Sequence, residues 1–286
     1  MMKGPGDLPA GDSISFGIST AAEPPDMAAP GTASVQIVLD GKSQRESAAQ
    51  VLIEHLFANT DTAIPQVSYA VSYRLAEEFI GGDIVDVYHF DNDCVAFSIA
   101  DISGKGAQAA VHAALIKYGL RAYSSHGLTP EAVLRAMDRL YLENNTFENV
   151  ESFASVFFAV ADPLRRTLWY ANAGHEPVLI VSPAGVVSLL QPTAPLIGIF
   201  DDQHHLFKQE AVPIEKDTIL VATTDGVTEA RSADRDFFGM ERFIAAVEAS
   251  HDQSPAAIVK RVIDDVEIFS GNRLRDDIAI VAVRFG

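Results

Sequence analysis

Aspartates recur at the ends of apolar runs in this sequence. Asp83 and Asp86 lie in GGDIVD, and Asp101 follows CVAFSIA in ADISGKG. Asp225 follows TILVATT in TDGVTEA, and Asp276 and Asp277 precede IAIVAVRF. An aspartate at a strand end is ordinarily turn chemistry, and each of these read alone is no more than that. Their shared placement says more. If the 218–224 and 278–285 runs pair as antiparallel strands, the end of one lies beside the start of the other. Asp225 and Asp276 then share one sheet edge, and Asp101, at the end of another strand, could join them. Carboxylates gathered there repel each other and lose solvation. Hard divalent cations relieve both problems, and oxygen-only ligation suits Mg2+ or Mn2+ better than zinc. Gly81, Gly82, Gly104, Gly106 and Gly226 flank these aspartates and allow backbone to approach an ion or phosphate. Lys105, in SGKG, reads equally as a phosphate attractor or as part of a turn that opens a helix.

These residues need strands and helices to position them. Alternation or short apolar runs predict strands in QVSYAVSYRLA, CVAFSIA (94–100), FASVFFAVA (153–161), TLWYANA (167–173), PVLIVS (177–182), VVSLL (186–190), TILVATT (218–224) and IAIVAVRF (278–285). Asp162-Pro163 before Arg165-Arg166 predicts a hairpin turn, and Pro183, Ala184 and Gly185 predict another. Helices are expected from about Ala107 to Ser124 and from Pro130, capped by Thr129, to near Asn144. Two more are expected, one starting near Met240 and one running from Pro255, capped by Ser254, to about Phe269. Hairpin-linked strands with paired helices predict an α+β sandwich and not a doubly wound parallel sheet.

The N-terminal part differs. Residues 1–44 are rich in Gly, Pro, Ala, Ser and Asp and are expected to be mostly disordered, with a short strand possible within SVQIVL. Residues 45–66 form a second region, in which 46–58 (ESAAQVLIEHLFA) carries apolar residues at helical spacing. That helix either packs on the domain or makes a homodimer or regulator contact. The third region, residues 67–286, holds all the aspartates above.

Bulk properties restrict the function. The 286 residues include 39 acidic and 21 basic ones, a formal net charge of −18. Such a charge argues against nucleic acid and anionic lipid as partners, since both bind through Lys and Arg. The one cysteine, Cys94, excludes an intrachain disulfide framework and any multi-cysteine metal site, and its surroundings read as a core strand. No run approaches the roughly 20 apolar residues of a membrane span, and no cleavable signal precedes the domain. A cytoplasmic protein is the expectation. Trp169 reads as a core residue, His112 as a packing or surface residue, His175 as a hydrogen-bonding turn residue, and no general acid stands out.

From about residue 67 to 286 the chain resembles the PPM phosphatases (protein phosphatase two-C type), in their SpoIIE/RsbU branch. The motifs GGDIVD, ADISGKGAQAA, YANAGHEP, TTDGVTEA with downstream FFGMERF, and DDIAIVAVRF occur in the family's order. Any one is a loose pattern, and five in order are specific. The resemblance implies an αββα sandwich of two antiparallel sheets flanked by helices. It also implies a serine/threonine protein phosphatase that uses two divalent cations, Mn2+ or Mg2+, and a metal-activated water without a phosphoenzyme. Asp101 would bridge the cations, Ile102 would offer its carbonyl, and Asp225 and Asp276 would complete the site. Asp83 would act directly or through water, and Asp86 and Asp277 would support the ligands, beside Gly82, Lys105 and Gly226 near the phosphate. The implied substrate is phosphoserine or phosphothreonine on a STAS-type anti-anti-sigma protein. Departures lie at Ile84 and Val85, at Ala107-Gln108 and in PTAPLIGIF, none of which removes a ligand.

Two other readings compete. A catalytically weak PPM-fold binding or sensor module would be expected to lack a ligand, whereas Asp101, Asp225 and Asp276 are all present. GGD also resembles the signature of diguanylate cyclases, but Ile84-Val85 lacks its acidic-aromatic continuation.

Overall fold

The computed structural model describes residues 33–38, 64, 66–74, 82–90, 94–148, 151–200 and 204–286. Its strands are β1 (Ala33–Val38), β2 (Val67–Arg74), β3 (Ile84–Phe90), β4 (Cys94–Ile102), β5 (Ala154–Asp162) and β6 (Thr167–Ala173). They continue with β7 (Val178–Val181), β8 (Val187–Leu190), β9 (Glu210–Pro213), β10 (Ile219–Thr223) and β11 (Ile278–Phe285). The helices are α1 (Ala107–Ser124), α2 (Pro130–Glu148), α3 (Asp225–Thr228), α4 (Gly239–Glu248) and α5 (Pro255–Ser270).

A strand that is apolar at nearly every position must be covered on both faces. This is the condition of β10 and β11. Leu220 and Ala222 of β10, with Ala279, Val281, Val283 and Phe285 of β11, enter a core between the two sheets. The alternate residues, Ile219, Val221, Ile278, Ile280 and Ala282, enter a second core beneath α4 and α5. Strict alternation across a strand thus divides one apolar run between two cores. The first sheet has the order β1-β2-β11-β10-β7-β8 and the second β3-β4-β5-β6-β9. Helices α1 and α2 cover the second sheet, which completes the expected αββα sandwich. All pairings are antiparallel except β1 with β2, which run parallel.

Local signals account for the helix limits. In α5 the Ser254 hydroxyl accepts from the Ala257 amide at 3.3 Å, Pro255 occupies the first turn and Gly271 ends the helix at φ 64. Its buried stripe, Ile258, Val259, Val262, Ile263 and Val266, follows helical spacing. Helix α2 continues to Glu148, four residues beyond the expected end near Asn144. Strands β3 and β9 were not anticipated: β3 lies inside a motif read for its aspartates, and β9 is short and mostly exposed. Trp169, expected in the core, is only half-buried, because it stands on the β6 face opposite Leu168 and Tyr170. Of the N-terminal expectations, a strand does form at Ala33–Val38, while the helix at 46–58 lies outside the described residues. Among the described residues no helix is long and apolar enough to cross a membrane.

One buried ionic cluster fastens α1 to the second sheet. Asp86, on β3, is 1% exposed. Arg121 Nε and Nη2 donate to its two oxygens at 2.5 and 2.7 Å, and Lys117 Nζ lies 3.8 Å away. The Arg121 guanidinium also sits 4.5 Å over the Tyr88 ring, whose hydroxyl meets Ser124 at 2.8 Å. Burial pushes the Lys117 ammonium down from its ordinary pKa, and the Asp86 carboxylate opposes this. Removing one member of a buried cluster strands the others uncompensated. Asp86→Ala is therefore expected to cost about 3–5 kcal/mol of stability. Denaturant titration checks this, and a loss under ~1 kcal/mol would mean that the cluster does not hold α1 in place.

Candidate functional site

The site begins where β10 ends. Thr223 pairs with Ile280 across β10 and β11. The next residue, Thr224, donates its amide to the Ala279 carbonyl at 3.0 Å. Its hydroxyl accepts from the Ala279 amide at 3.0 Å and donates to Asp83 Oδ2 at 2.7 Å. One side chain thus joins the first sheet to the segment that leads into the second. Asp225 follows at once and opens the single turn of α3. Gly226 then passes so near the Asp277 backbone that an added Cβ would lie 1.9 Å from its carbonyl oxygen. Only glycine permits that approach, which brings Asp225 beside Asp276 and Asp277. Gly82 does the same on the other side, where a Cβ would stand 2.4 Å from the Ile102 carbonyl oxygen.

These approaches gather the expected carboxylates. Asp83 is 7% exposed, and burial followed by the charge of Asp101 raises its pKa well above the ordinary carboxylate range. Burial, then Asp276, raises that of Asp101, which shares a hydrogen bond with Asp83. Asp225 is pushed up to about 7 by burial, then by Asp101 and Asp276, with Glu229 and Glu176 adding to it. Asp276 is largely exposed, accepts from the Asp277 amide at 3.0 Å and lies 4.0 Å from Lys105 Nζ. Asp83, Asp101, Asp225, Asp276 and Asp277 therefore form one electrostatic group. Asp86 does not join it, because its carboxylate is taken up by Arg121 and Lys117.

The chemistry of this group fits hard cations: acidic oxygen donors, several of them partly desolvated. Among the described residues, no three His, Cys, Asp or Glu side chains already close on one point as a finished metal cage. Backbone carbonyls and waters would have to complete any coordination sphere.

Beside the carboxylates lies a cleft of about 220 Å3. Its lining includes the acidic side chains of Asp101, Glu176 and Asp225 and the apolar ones of Phe153 and Leu196. Ser155 and His175 also line it. Ser155 is the β5 partner of Asp101, and its hydroxyl meets His175 Nδ1 at 2.8 Å. The His175 amide donates to Asn172 Oδ1 at 2.8 Å. Burial lowers the His175 pKa to about 4, so the ring is neutral near pH 7 and carries no proton suited to acid catalysis. His112 is likewise internal, with Nδ1 at 3.0 Å from the Tyr141 hydroxyl and 2.9 Å from that of Ser152.

Sequence reasoning missed Thr224, Ser155 and Glu176. Thr224 adjoins Asp225 and Glu176 adjoins His175, so both lie in motifs already singled out. Ser155 faces Asp101 only through strand register, which spacing does not reveal.

Two packed sheets between helical layers, with carboxylates gathered at one edge, define the PPM phosphatase fold. The SiaA PP2C domain of Pseudomonas aeruginosa superposes with a TM-score of 0.66 at 20% identity, over 76% of this chain and 86% of that one. The chain belongs to the SpoIIE family: residues 91–286 match the family described as stage II sporulation protein E. It is 29% identical over 202 residues to phosphoserine phosphatase RsbU of Bacillus subtilis, covering 70% of this chain and 58% of that protein. It is 27% identical over 230 residues to protein IcfG of Synechocystis, covering 71% of this chain and 36% of that protein. The chain therefore spans only about a third to three-fifths of these relatives.

A carboxyl group whose folded-state pKa is raised binds its proton more tightly when native. Stability then rises as pH falls through that value, and the gain is complete below the ordinary value near 4. Asp225, at about 7, with Asp83 and Asp101 shifted the same way, predicts this behaviour for the metal-free protein. The melting temperature without metal should rise between about pH 8 and pH 5. Asp225→Asn should flatten that rise, and an unchanged profile would show that Asp225 is not under this strain.

Proposed function

We propose that the chain is a metal-dependent protein phosphatase that hydrolyses phosphoserine or phosphothreonine on a regulatory protein, a STAS-type anti-anti-sigma factor. The observation that carries this is the group of Asp83, Asp101 and Asp225, brought from two sheets to one edge at an energetic cost. Folding alone does not require it. The name of the relative RsbU, phosphoserine phosphatase, supports the same reaction.

Asp101, Asp225 and Asp276 would hold two divalent cations, Mn2+ or Mg2+, with Asp83 and the Ile102 carbonyl. Bound cations of this kind lower the pKa of water and neutralise phosphate oxygens. The chain supplies orientation. Thr224 fixes the Asp83 carboxylate, Ser155 and His175 fix the cleft wall beside Asp101, and Asp277 stands behind Asp83 and Asp101. Gly82 and Gly226 keep the backbone close, and Lys105 offers a positive charge at the rim. The substrate is protein and not nucleic acid or membrane lipid, in keeping with the chain's acidity. Residues 46–58 remain the proposed contact for a second copy or a regulator in a partner-switching pathway.

A second reading is a catalytically weak PPM-fold sensor or binding module. Metal and activity measurements separate the two. Hydrolysis of p-nitrophenyl phosphate should require added Mn2+ or Mg2+ and vanish with EDTA. Asp101→Asn should lower turnover by at least about a hundredfold and weaken metal affinity measured by calorimetry. Its metal-free form should melt no lower than wild type, since a repelling charge is gone. Near-normal turnover in this variant would remove Asp101 from the centre of the site, and a wild type that binds metal without turnover would favour the sensor.

A further inference from the structure

Large apolar side chains are exposed on the two segments that contribute Phe153 and Leu196 to the cleft. Phe153 is 46% exposed, Ile199 39% and Phe200 63%. Leu196 and Phe153 line the cleft that Asp101 and Asp225 also line. Large apolar side chains placed together on a surface commonly mark an interaction site.

This rim is built and not slack. Phe153 donates its amide to Ser103 Oγ at 2.9 Å and accepts the Ser103 amide on its carbonyl at 2.9 Å. Ala154 and Ile197 exchange two backbone bonds, at 3.1 and 3.0 Å. The Gly198 amide donates to Asp138 Oδ1 at 2.9 Å, and a Cβ there would lie 2.8 Å from the Ser152 carbonyl oxygen. The segment carrying Leu196, Ile199 and Phe200 is thus pinned against the residues that carry Phe153. Leu196 packs on Gly174, whose added Cβ would stand 2.7 Å from it.

We propose that Phe153, Leu196, Ile199 and Phe200 form the docking surface for the segment flanking the phosphorylated residue of the protein substrate, selecting an apolar side chain within two residues of it. The proposal rests on the phosphatase reading of the adjoining carboxylates. Continuity supports it, since Phe153 and Leu196 line the cleft that Asp101 and Asp225 also line. Charge decides between occupants. A second copy laid over this rim would bring its own acidic residues against the first, between two chains each at −18. A phosphopeptide with an adjacent apolar side chain suits both sets of residues: its phosphate faces the cations held by the acidic ones, and its apolar side chain meets the rim. Residues two apart in an extended peptide lie about 7 Å from each other on one face, so one can present its phosphate to the cleft while the other meets the neighbouring apolar residues.

The test uses the full chain with Mn2+ and matched phosphoserine peptides carrying Leu or Ser at the flanking positions. The Leu peptides should show kcat/KM at least about tenfold higher, the scale of one buried apolar side chain. Phe153→Ser and Phe200→Ser should bring that ratio towards one. Peptide binding by fluorescence anisotropy and hydrolysis of p-nitrophenyl phosphate are measured alongside. Hydrolysis of p-nitrophenyl phosphate with no preference among peptides overturns the rim and leaves the phosphatase. Absent turnover with about tenfold tighter binding of the Leu peptides overturns the phosphatase and leaves the rim. Sedimentation showing a dimer that Phe200→Ser dissociates would assign the rim to a second copy and overturn the proposal.

Discussion

Mutual repulsion among buried carboxylates is the constraint around which this structure is organised. Asp83, Asp101 and Asp225 are all held with pKa values above the ordinary range, and each shift has burial as its first cause and another aspartate next. A fold that merely needed polar groups at its strand ends would leave them in water. Here Gly82 and Gly226 remove the last steric obstacle to gathering them, and Thr224 ties Asp83 to the β10–β11 ladder. A divalent cation bound beside these carboxylates would oppose both causes of their shifts.

Asp86 supplies the contrast. It has the same side chain, stands three residues from Asp83 and is also buried, yet the chain provides its counterions in Arg121 and Lys117. Its ion pairs are internal and join β3 to α1. Of the aspartates at the sheet edge, the largely exposed Asp276 has Lys105 Nζ 4.0 Å away. Asp86 is held by cations within the chain, whereas burial and neighbouring aspartates raise the pKa values of Asp83, Asp101 and Asp225.

Much of this was legible in the sequence, for identifiable reasons. Strands β6 and β11 occupy the expected residues because apolar runs bounded by turns locate them. Helix α5 was legible because Ser254, Pro255 and Gly271 mark its ends. The antiparallel neighbours β10 and β11 carry Asp225 and Asp276 to one edge, as their strand-end positions implied. Register was not legible. It sets Ser155 opposite Asp101, turns Trp169 away from the core and directs Asp86 towards α1. Strand β9, with exposed side chains and a proline, has no hydrophobic pattern to announce it.

The position of β11 has a consequence for synthesis. It lies between β2 and β10 and pairs with both, although it follows every other strand in the sequence. As the chain is made, the first sheet remains split until residues 278–285 have left the ribosome. Until then β2 and β10 each present an unpaired edge, and Asp83 and Asp225 have no ladder to hold them together. The nascent protein therefore passes through a stage in which it needs protection from aggregation, and it acquires its acidic centre only at the end of that stage.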